Sequence, residues 1–231
     1  MKISLVIPTY NEEKYLPKMF KSLSQSTLYP DEIIIVDDHS VDSTREIARS
    51  YGAEVLVVDR RNIGYARKIG MLSAKYDILV SGSADMIVDR YWLENLTAPL
   101  RARFDMSFGR IDVDSDHWID RWFVKLANAY SELSFKHLGL IWASGDNIAI
   151  RKNFYHKILG FKELKMGEDI ELIRRALGRG KVYYARDAVI YTSDRRVKKW
   201  GRIKFFVYYL LSYLLLNSGN VINIREYEAI R

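Results

Sequence analysis

An α/β protein with a Rossmann-like, mostly parallel sheet flanked by helices is what the sequence predicts, and three observations predict it. Apolar runs of strand length alternate with segments of helical spacing through the first half of the chain. Polar residues collect where three of those runs end, at Thr9-Tyr10-Asn11-Glu12, Asp37-Asp38-His39-Ser40 and Ser81-Gly82-Ser83-Ala84-Asp85. Composition allows one packed core: 231 residues, 48% hydrophobic and 28% charged.

Residues 3–7 read as a buried parallel strand that stops at Pro8. Asn11 is placed to cap the next helix, where Leu16, Met19, Phe20 and Leu23 recur at helical spacing. A second strand over 32–36 ends in Asp37-Asp38. Asp42-Ser43-Thr44 then opens a helix to Tyr51 that Gly52 closes. A strand over 54–58, a helix over 65–75 and a strand over 77–80 follow. The second half is less regular. It holds a strand over 105–113 and an aromatic-rich helix over 117–136 with Trp118, Trp122, Phe123 and Tyr130. A loop and short strand fill 141–150, a helix over 168–177 turns Ile170, Ile173 and Leu177 to the core, and one or two strands occupy 181–192. No repeat or Gly/Ser linker divides residues 1–194.

Cysteine is absent, which removes disulfides and thiolate metal sites. The apolar run at the N-terminus is too short for a secretory signal, so it reads as a cytoplasmic first strand. Net charge is +7, and its distribution matters. Between 195 and 204 stand six cations (Arg195, Arg196, Lys198, Lys199, Arg202, Lys204) and no acid, directly before FFVYYLLSYLLL at 205–216. Twelve such residues cannot cross a hydrocarbon core, which needs about 20 in helix. A basic segment leading into an apolar, aromatic helix suits an anionic membrane surface on the inner face of the cell membrane. A C-terminal amphipathic helix docked on the core is the equal alternative. No nucleic-acid-binding motif is present, and no nucleic acid partner is expected.

In a wound parallel sheet, ligands bind beyond the carboxyl ends of the strands. Thr9, Tyr10 and Glu12 would meet a base or ribose there, or Asn11 and Glu12 would simply charge a helix start. Of Asp37 and Asp38, one is expected to cap the next helix; the other could accept from a nucleobase edge. In Asn62-Ile63-Gly64-Tyr65-Ala66-Arg67, Gly64 permits close backbone approach and Arg67 offers a fork suited to phosphate. Glu168 and Asp169 open a helix whose dipole favours their ionised forms, while each raises the pKa of the other. The four histidines (His39, His117, His137, His156) have no metal-ligand spacing.

SLVIPTYNEEKYL, PDEIIIVDDHSVDST and RNIGYARKIG, followed by GDNIAIRKNFYHKILGF and MGEDIELIRRALGRG, resemble family-2 glycosyltransferases in motif, order and spacing over about residues 3–180. That resemblance implies the GT-A fold, a UDP- or GDP-type sugar donor, Mg²⁺ or Mn²⁺, and inversion at the anomeric carbon. Residues 1–113 become the donor-binding half of a catalytic domain and 114–194 the acceptor-binding half, with 195–231 a basic and apolar helical addition. The donor side comprises Pro8, Thr9, Tyr10, Glu12, Asp38, Arg67, Ser83, Ala84, Arg195 and Arg196, with Asp38 on the base. The family's Asp-x-Asp is reduced here: Ser83 replaces the first acid and Asp85 remains as the metal ligand. No His follows His156 to complete the metal shell, so Arg195 and Arg196 could neutralise the leaving diphosphate instead. Gly145 and Asp146 line the acceptor side, Asp169 is the catalytic base, and Glu168 positions the acceptor.

The acceptor implied is a hydroxyl on a glycan or lipid-linked glycan, because a hydroxyl needs a base. A polyprenyl phosphate, already ionised, would leave Asp169 idle. A nucleotide-sugar-binding protein without turnover is the third reading. A nucleotidyltransferase wants a glycine-rich triphosphate loop, which PTYNEEKY lacks.

Overall fold

The structure, a computed structural model, describes residues 1–138, 143–205 and 207. Its sheet has eight strands in the order β3-β2-β1-β4-β7-β6-β8-β5. In chain order the strands are β1 (Ile3–Thr9), β2 (Glu32–Asp37), β3 (Glu54–Val57), β4 (Ile78–Ser81), β5 (Ile87–Val88), β6 (Met106–Asp114), β7 (Ile148–Arg151) and β8 (Val182–Ser193). Strands β1 to β4 run parallel, with α1 (Leu16–Ser24), α2 (Thr44–Ser50) and α3 (Ile63–Ser73) as crossovers. The sheet is mostly parallel, as expected; the exceptions are β7, antiparallel to both β4 and β6, and β5, antiparallel to β8. Strand β7 is reached through the long excursion of α5 (Trp118–Leu138), which frees the chain from the crossover geometry that imposes parallel pairing.

Two apolar layers sandwich the sheet. Ile3, Leu5 and Ile7 of β1 face α1 and α4 (Trp92–Arg101), meeting Leu16, Phe20, Trp92 and Leu96. Val6 faces the opposite layer with Met71 of α3, Phe154 of α6 (Lys152–Lys157), and Leu172 and Ile173 of α7 (Glu168–Leu177). This alternation is the period of two that a strand imposes.

Strand β1 continues through Pro8 to Thr9 instead of stopping. The Val6 carbonyl accepts from Gly82, so the nitrogen of Pro8, two residues on, also points toward β4, whose pairing has already ended at Ser81. Proline therefore sacrifices no ladder bond there. Asn11 does not cap α1, which begins at Leu16. It adopts φ 53, and its side chain accepts from Val41 at 2.9 Å, tying the loop after β1 to the loop after β2. The segment 181–192 resolves into one strand, β8, with a bulge against β6 between Gly109 and Arg110. Helix α4 was not foreseen. Of the C-terminal run 205–216, all but Phe205 and Val207 lies outside the described residues, as does Ile141. No described helix is long and apolar enough to cross a membrane.

Candidate functional site

Beyond the carboxyl ends of β1, β2 and β4 lies a cleft of about 760 Å³, lined from the donor-side loops, from α5 and from the start of α7. That volume falls in the range of small-ligand sites. Of the residues expected there, Pro8, Thr9, Tyr10, Glu12, Asp38, Arg67, Ser83, Ala84, Asp85, Asp146, Glu168, Asp169, Arg195 and Arg196 all line it. Gly145 does not.

At the donor end, Thr9 and Asp37 brace each other. The Thr9 hydroxyl donates to Asp37 at 3.0 Å, and Asp37 also accepts from the Ser40 amide and hydroxyl. Asp37 is thus a loop brace, and neither acid caps α2: its N-cap is Ser43, with no side-chain cap, and Asp42 just before it accepts from the Thr44 amide at 3.1 Å. Asp38 is left half-buried on the cleft. Burial raises its pKa, against the Arg60 amide and the charges of Arg61 and His39, which lower it. Sequence reasoning missed Arg60 and Arg61. The Arg61 guanidinium lies 4.5 Å from the Tyr10 ring centroid and donates to the Tyr10 hydroxyl at 2.6 Å. The adjacent pair Arg60-Arg61 before a helix was the available signal.

Arg195 opens α8 (Arg195–Trp200) and lines the cleft. It donates to both oxygens of buried Glu12, at 2.8 and 3.2 Å, lies 3.0 Å from Asp85 Oδ2, and stacks 4.7 Å from the Tyr15 ring centroid. Burial opposes its charge, but Asp85 and Glu12 outweigh burial and hold its pKa above the usual value. Asp85 Oδ2 also accepts from the Ser193 hydroxyl at 2.8 Å. The metal expectation meets a sparse donor set. Among the described residues no three His, Cys, Asp or Glu side chains converge on a point that could hold an ion. Asp85 is the one carboxylate at the expected place, and it is salt-bridged, so these side chains do not build a metal centre by themselves. The Ser83 hydroxyl is buried and has no hydrogen-bond partner among the described residues.

At the other end, Arg67 of α3 is fully buried, and its role departs from the expectation. Its fork is taken by Glu168 and Asp146, and its Nε donates to Ser81 at 3.1 Å. No arm is left for a donor phosphate, so the phosphate reading of Arg67 is corrected: it organises the acidic cluster. Burial opposes its charge, and Asp146, Glu168 and Asp169 together outweigh it. Gly64 is likewise corrected. A Cβ there would stand 2.2 Å from the Lys162 carbonyl, so its close approach is to the chain itself, not to a ligand.

Gly145 sits against the Arg67 guanidinium, where a Cβ would come within 2.3 Å of Nη1. Its amide donates to Asp169 Oδ2 at 2.8 Å. Gly145 is therefore a backbone support for Asp169, not a cleft surface. Asn147 is also turned inward: it accepts from Trp92 at 2.8 Å and donates to the Arg110 and Ala188 carbonyls beside the β6–β8 bulge. Asp146 does line the cleft, but Arg67 and Ser144 occupy its oxygens.

Glu168 is buried, and burial together with the neighbouring Asp169 charge pushes its pKa up to about 7 despite Arg67. Asp169 keeps part of its surface on the cleft. Burial raises its pKa too, while Arg67 and the Ile170 and Gly145 amides pull it down. The helix start alone therefore does not set its ionisation, contrary to the dipole argument. The arrangement is a carboxylate of raised basicity, fixed by a backbone amide and facing the cleft that Asp38 and the Arg195 cluster also line.

Residues 4–159 match the family model for glycosyl transferase family 2, more than half of the chain, and the protein belongs to that family. A 4,4'-diaponeurosporenoate glycosyltransferase of Staphylococcus haemolyticus is 45% identical over 91 residues, 36% of this chain and 24% of that one. The O-antigen chain rhamnosyltransferase RfbN of Salmonella typhimurium is 25% identical over 211 residues, 82% of this chain and 66% of that one. The chain thus spans between about a quarter and two thirds of the length of these relatives. Among solved structures, S. aureus TarS matches with TM-score 0.66 at 21% identity, over 84% of this chain and 37% of that one. Glucosyl-3-phosphoglycerate synthase of Mycobacterium tuberculosis, solved with Mn²⁺, UDP-glucose and phosphoglyceric acid, matches with TM-score 0.67 at 21% identity, over 96% of this chain and 81% of that one. At that identity the likeness establishes the fold, the mostly parallel GT-A sheet.

Proposed function

We propose that the protein transfers a sugar from a nucleoside diphosphate donor to a hydroxyl acceptor, on a glycan or a lipid-linked glycan, with inversion at the anomeric carbon. The observation that carries the reading is Asp169: a carboxylate of raised pKa, held by the Gly145 amide, facing the same cleft as Asp38 and Arg195. Asp38 and Tyr10 receive the base, and the unpartnered Ser83 hydroxyl meets the donor. UDP or its sugars are bound by TarS and by the mycobacterial synthase, which supports a UDP-type donor over a GDP-type one.

Asp169 takes the proton of the acceptor hydroxyl as its oxygen forms the bond to the anomeric carbon. The bond from that carbon to the diphosphate oxygen breaks on the opposite face, and the nucleoside diphosphate leaves with the electron pair. Arg195 and Arg196 supply positive charge to the leaving group. A divalent ion such as Mg²⁺ or Mn²⁺ would be held by Asp85 and would supply Lewis-acid charge to the leaving diphosphate.

Calorimetric titration with UDP- and GDP-sugars, followed by NMR of the product's anomeric configuration, tests the reading. Binding of a UDP-sugar and an inverted product are expected. A chain that binds no nucleotide sugar overturns it. Binding without transfer points to a non-catalytic binder, and transfer to a polyprenyl phosphate that ignores Asp169 points to the phosphate acceptor.

A further inference from the structure

Helix α5 has two apolar faces. Phe123, Val124 and Ala127 line the cleft, and Phe135 packs edge-on to Phe108 at 5.1 Å. On the outer face, Trp118, Trp122, Leu126, Tyr130 and Leu133 recur at steps of four and three, one continuous stripe along the helix. These side chains are exposed, with Trp118 at 65%, Trp122 at 59% and Leu133 at 61% of their full surface. A contiguous exposed apolar stripe is unusual on a monomer's surface and calls for a partner.

The charges beside it select the partner. Arg121 and Lys125 are exposed on the helix next to the stripe. Of the acids on α5, Asp120 is buried under Arg202, with Nε–Oδ1 at 2.8 Å, and Glu132 is half-buried near Arg186 at 3.7 Å. The Arg202–Asp120 pair fastens the segment after β8 to the Trp118 end of α5, which brings the exposed Lys199 and Lys204 to that end, while Lys198 is paired with Asp194 at 2.9 Å. Exposed Asp114 and Asp116 precede the helix and are outnumbered there. Tryptophan and tyrosine with flanking cations and few acids match the interfacial layer of an anionic bilayer, where amphipathic rings and lysine ammoniums both find partners.

We infer that the outer face of α5 seats the protein on an anionic lipid surface. The inference rests on the transferase reading only for its consequence: since the inner face of the same helix lines the cleft, a hydroxyl carried on a lipid reaches Asp169 without leaving that surface.

The test uses the full chain with vesicles of phosphatidylcholine alone or mixed with phosphatidylglycerol. Binding to the mixed vesicles is expected to weaken as salt rises, and brominated lipid to quench tryptophan fluorescence. Trp118→Phe with Trp122→Phe keeps the apolar contact, so vesicle binding stays and most of the quenching goes. Trp118→Ser with Trp122→Ser lowers partitioning by about tenfold or more, since binding scales with buried apolar area. Nucleotide-sugar affinity stays unchanged in both, which shows that they fold and separates this inference from the transferase reading. Undiminished quenching in the Phe variant would place the contact on another segment and overturn the inference. So would undiminished binding by the Ser variant, including the case where that variant turns a dimer into a monomer and a second copy covers the face.

Discussion

Arg195 Nη2 stands 3.0 Å from Asp85 Oδ2, so the carboxylate that the sequence offers to a metal is neutralised from within the chain. A guanidinium stays charged at any working pH and presents its donors in a fixed fork. It can face a diphosphate without recruiting an ion.

The first prediction concerns that charge. Removing divalent ions should lower wild-type affinity for UDP by less than about tenfold, whereas Arg195→Ala should lower it roughly 10- to 100-fold, the range of one or two charge-assisted hydrogen bonds. Asp85→Asn should erase whatever metal dependence remains. Calorimetry with and without EDTA on the three proteins decides it. A wild type whose affinity collapses on chelation, by far more than tenfold, would show that the ion and not Arg195 carries the charge.

Arg67 holds Glu168 and Asp146 together inside the protein. Cutting a buried ion pair on one side leaves uncompensated charge and costs about 3–5 kcal/mol. Arg67→Met should lose stability of that order in urea unfolding, and Arg67→Lys should recover little because the ammonium cannot serve both carboxylates and Ser81. Arg67 also lowers the pKa of Asp169, so the acid limb of the rate profile should move to higher pH in both variants that fold, most in Arg67→Met. A loss under about 1 kcal/mol in Arg67→Met would contradict the buried-pair reading.

Stability should also record Glu168. Its folded pKa of about 7 lies above the ordinary 4.5, so between those values the unfolded chain releases a proton that the folded chain keeps. Below that window the protonated group costs nothing, and across it stability falls as pH rises. Melting curves from about pH 4.5 to 7.5 should show a decline in the wild type that Glu168→Gln flattens. Parallel profiles for the two proteins would place the raised pKa elsewhere.

Much of this was legible in the sequence, and the misreadings share a cause. Strand periodicity and the polar strand ends located the cleft, because both are local patterns. Arg67 was misassigned because its partners lie 79 and 101 residues away, and a fork that suits phosphate suits two carboxylates equally. The Glu12–Arg195 pair spans 183 residues and left no trace in either neighbourhood. Helix α4 could have been found from Trp92, Leu93, Leu96 and Leu100, which share a face, but Pro99 in its last turn reads as a breaker. The reversed direction of β7 was invisible, since a four-residue apolar strand carries no mark of its orientation.

The last prediction is the base. Asp169→Asn keeps the shape and the hydrogen bond from Gly145 but removes basicity, so turnover should fall by about 10²–10⁴-fold, the usual contribution of a general base. Donor affinity should barely change, because the donor is assigned to Asp38 and Arg195 and not to Asp169. Asp38→Ala should do the reverse and weaken donor binding before it slows transfer. Glu168→Gln should raise the acceptor KM and lower kcat together, since Glu168 is buried beside Asp169 and acts on the acceptor side through it. Because burial raises the Asp169 pKa, the wild-type rate should climb with pH on an acid limb lying above the ordinary aspartate range. Transfer rates and donor affinities of the three variants, measured across pH, separate these effects. If Asp169→Asn transferred at near-wild-type rate with the acid limb in place, another group would be taking the proton, and the assignment would fall.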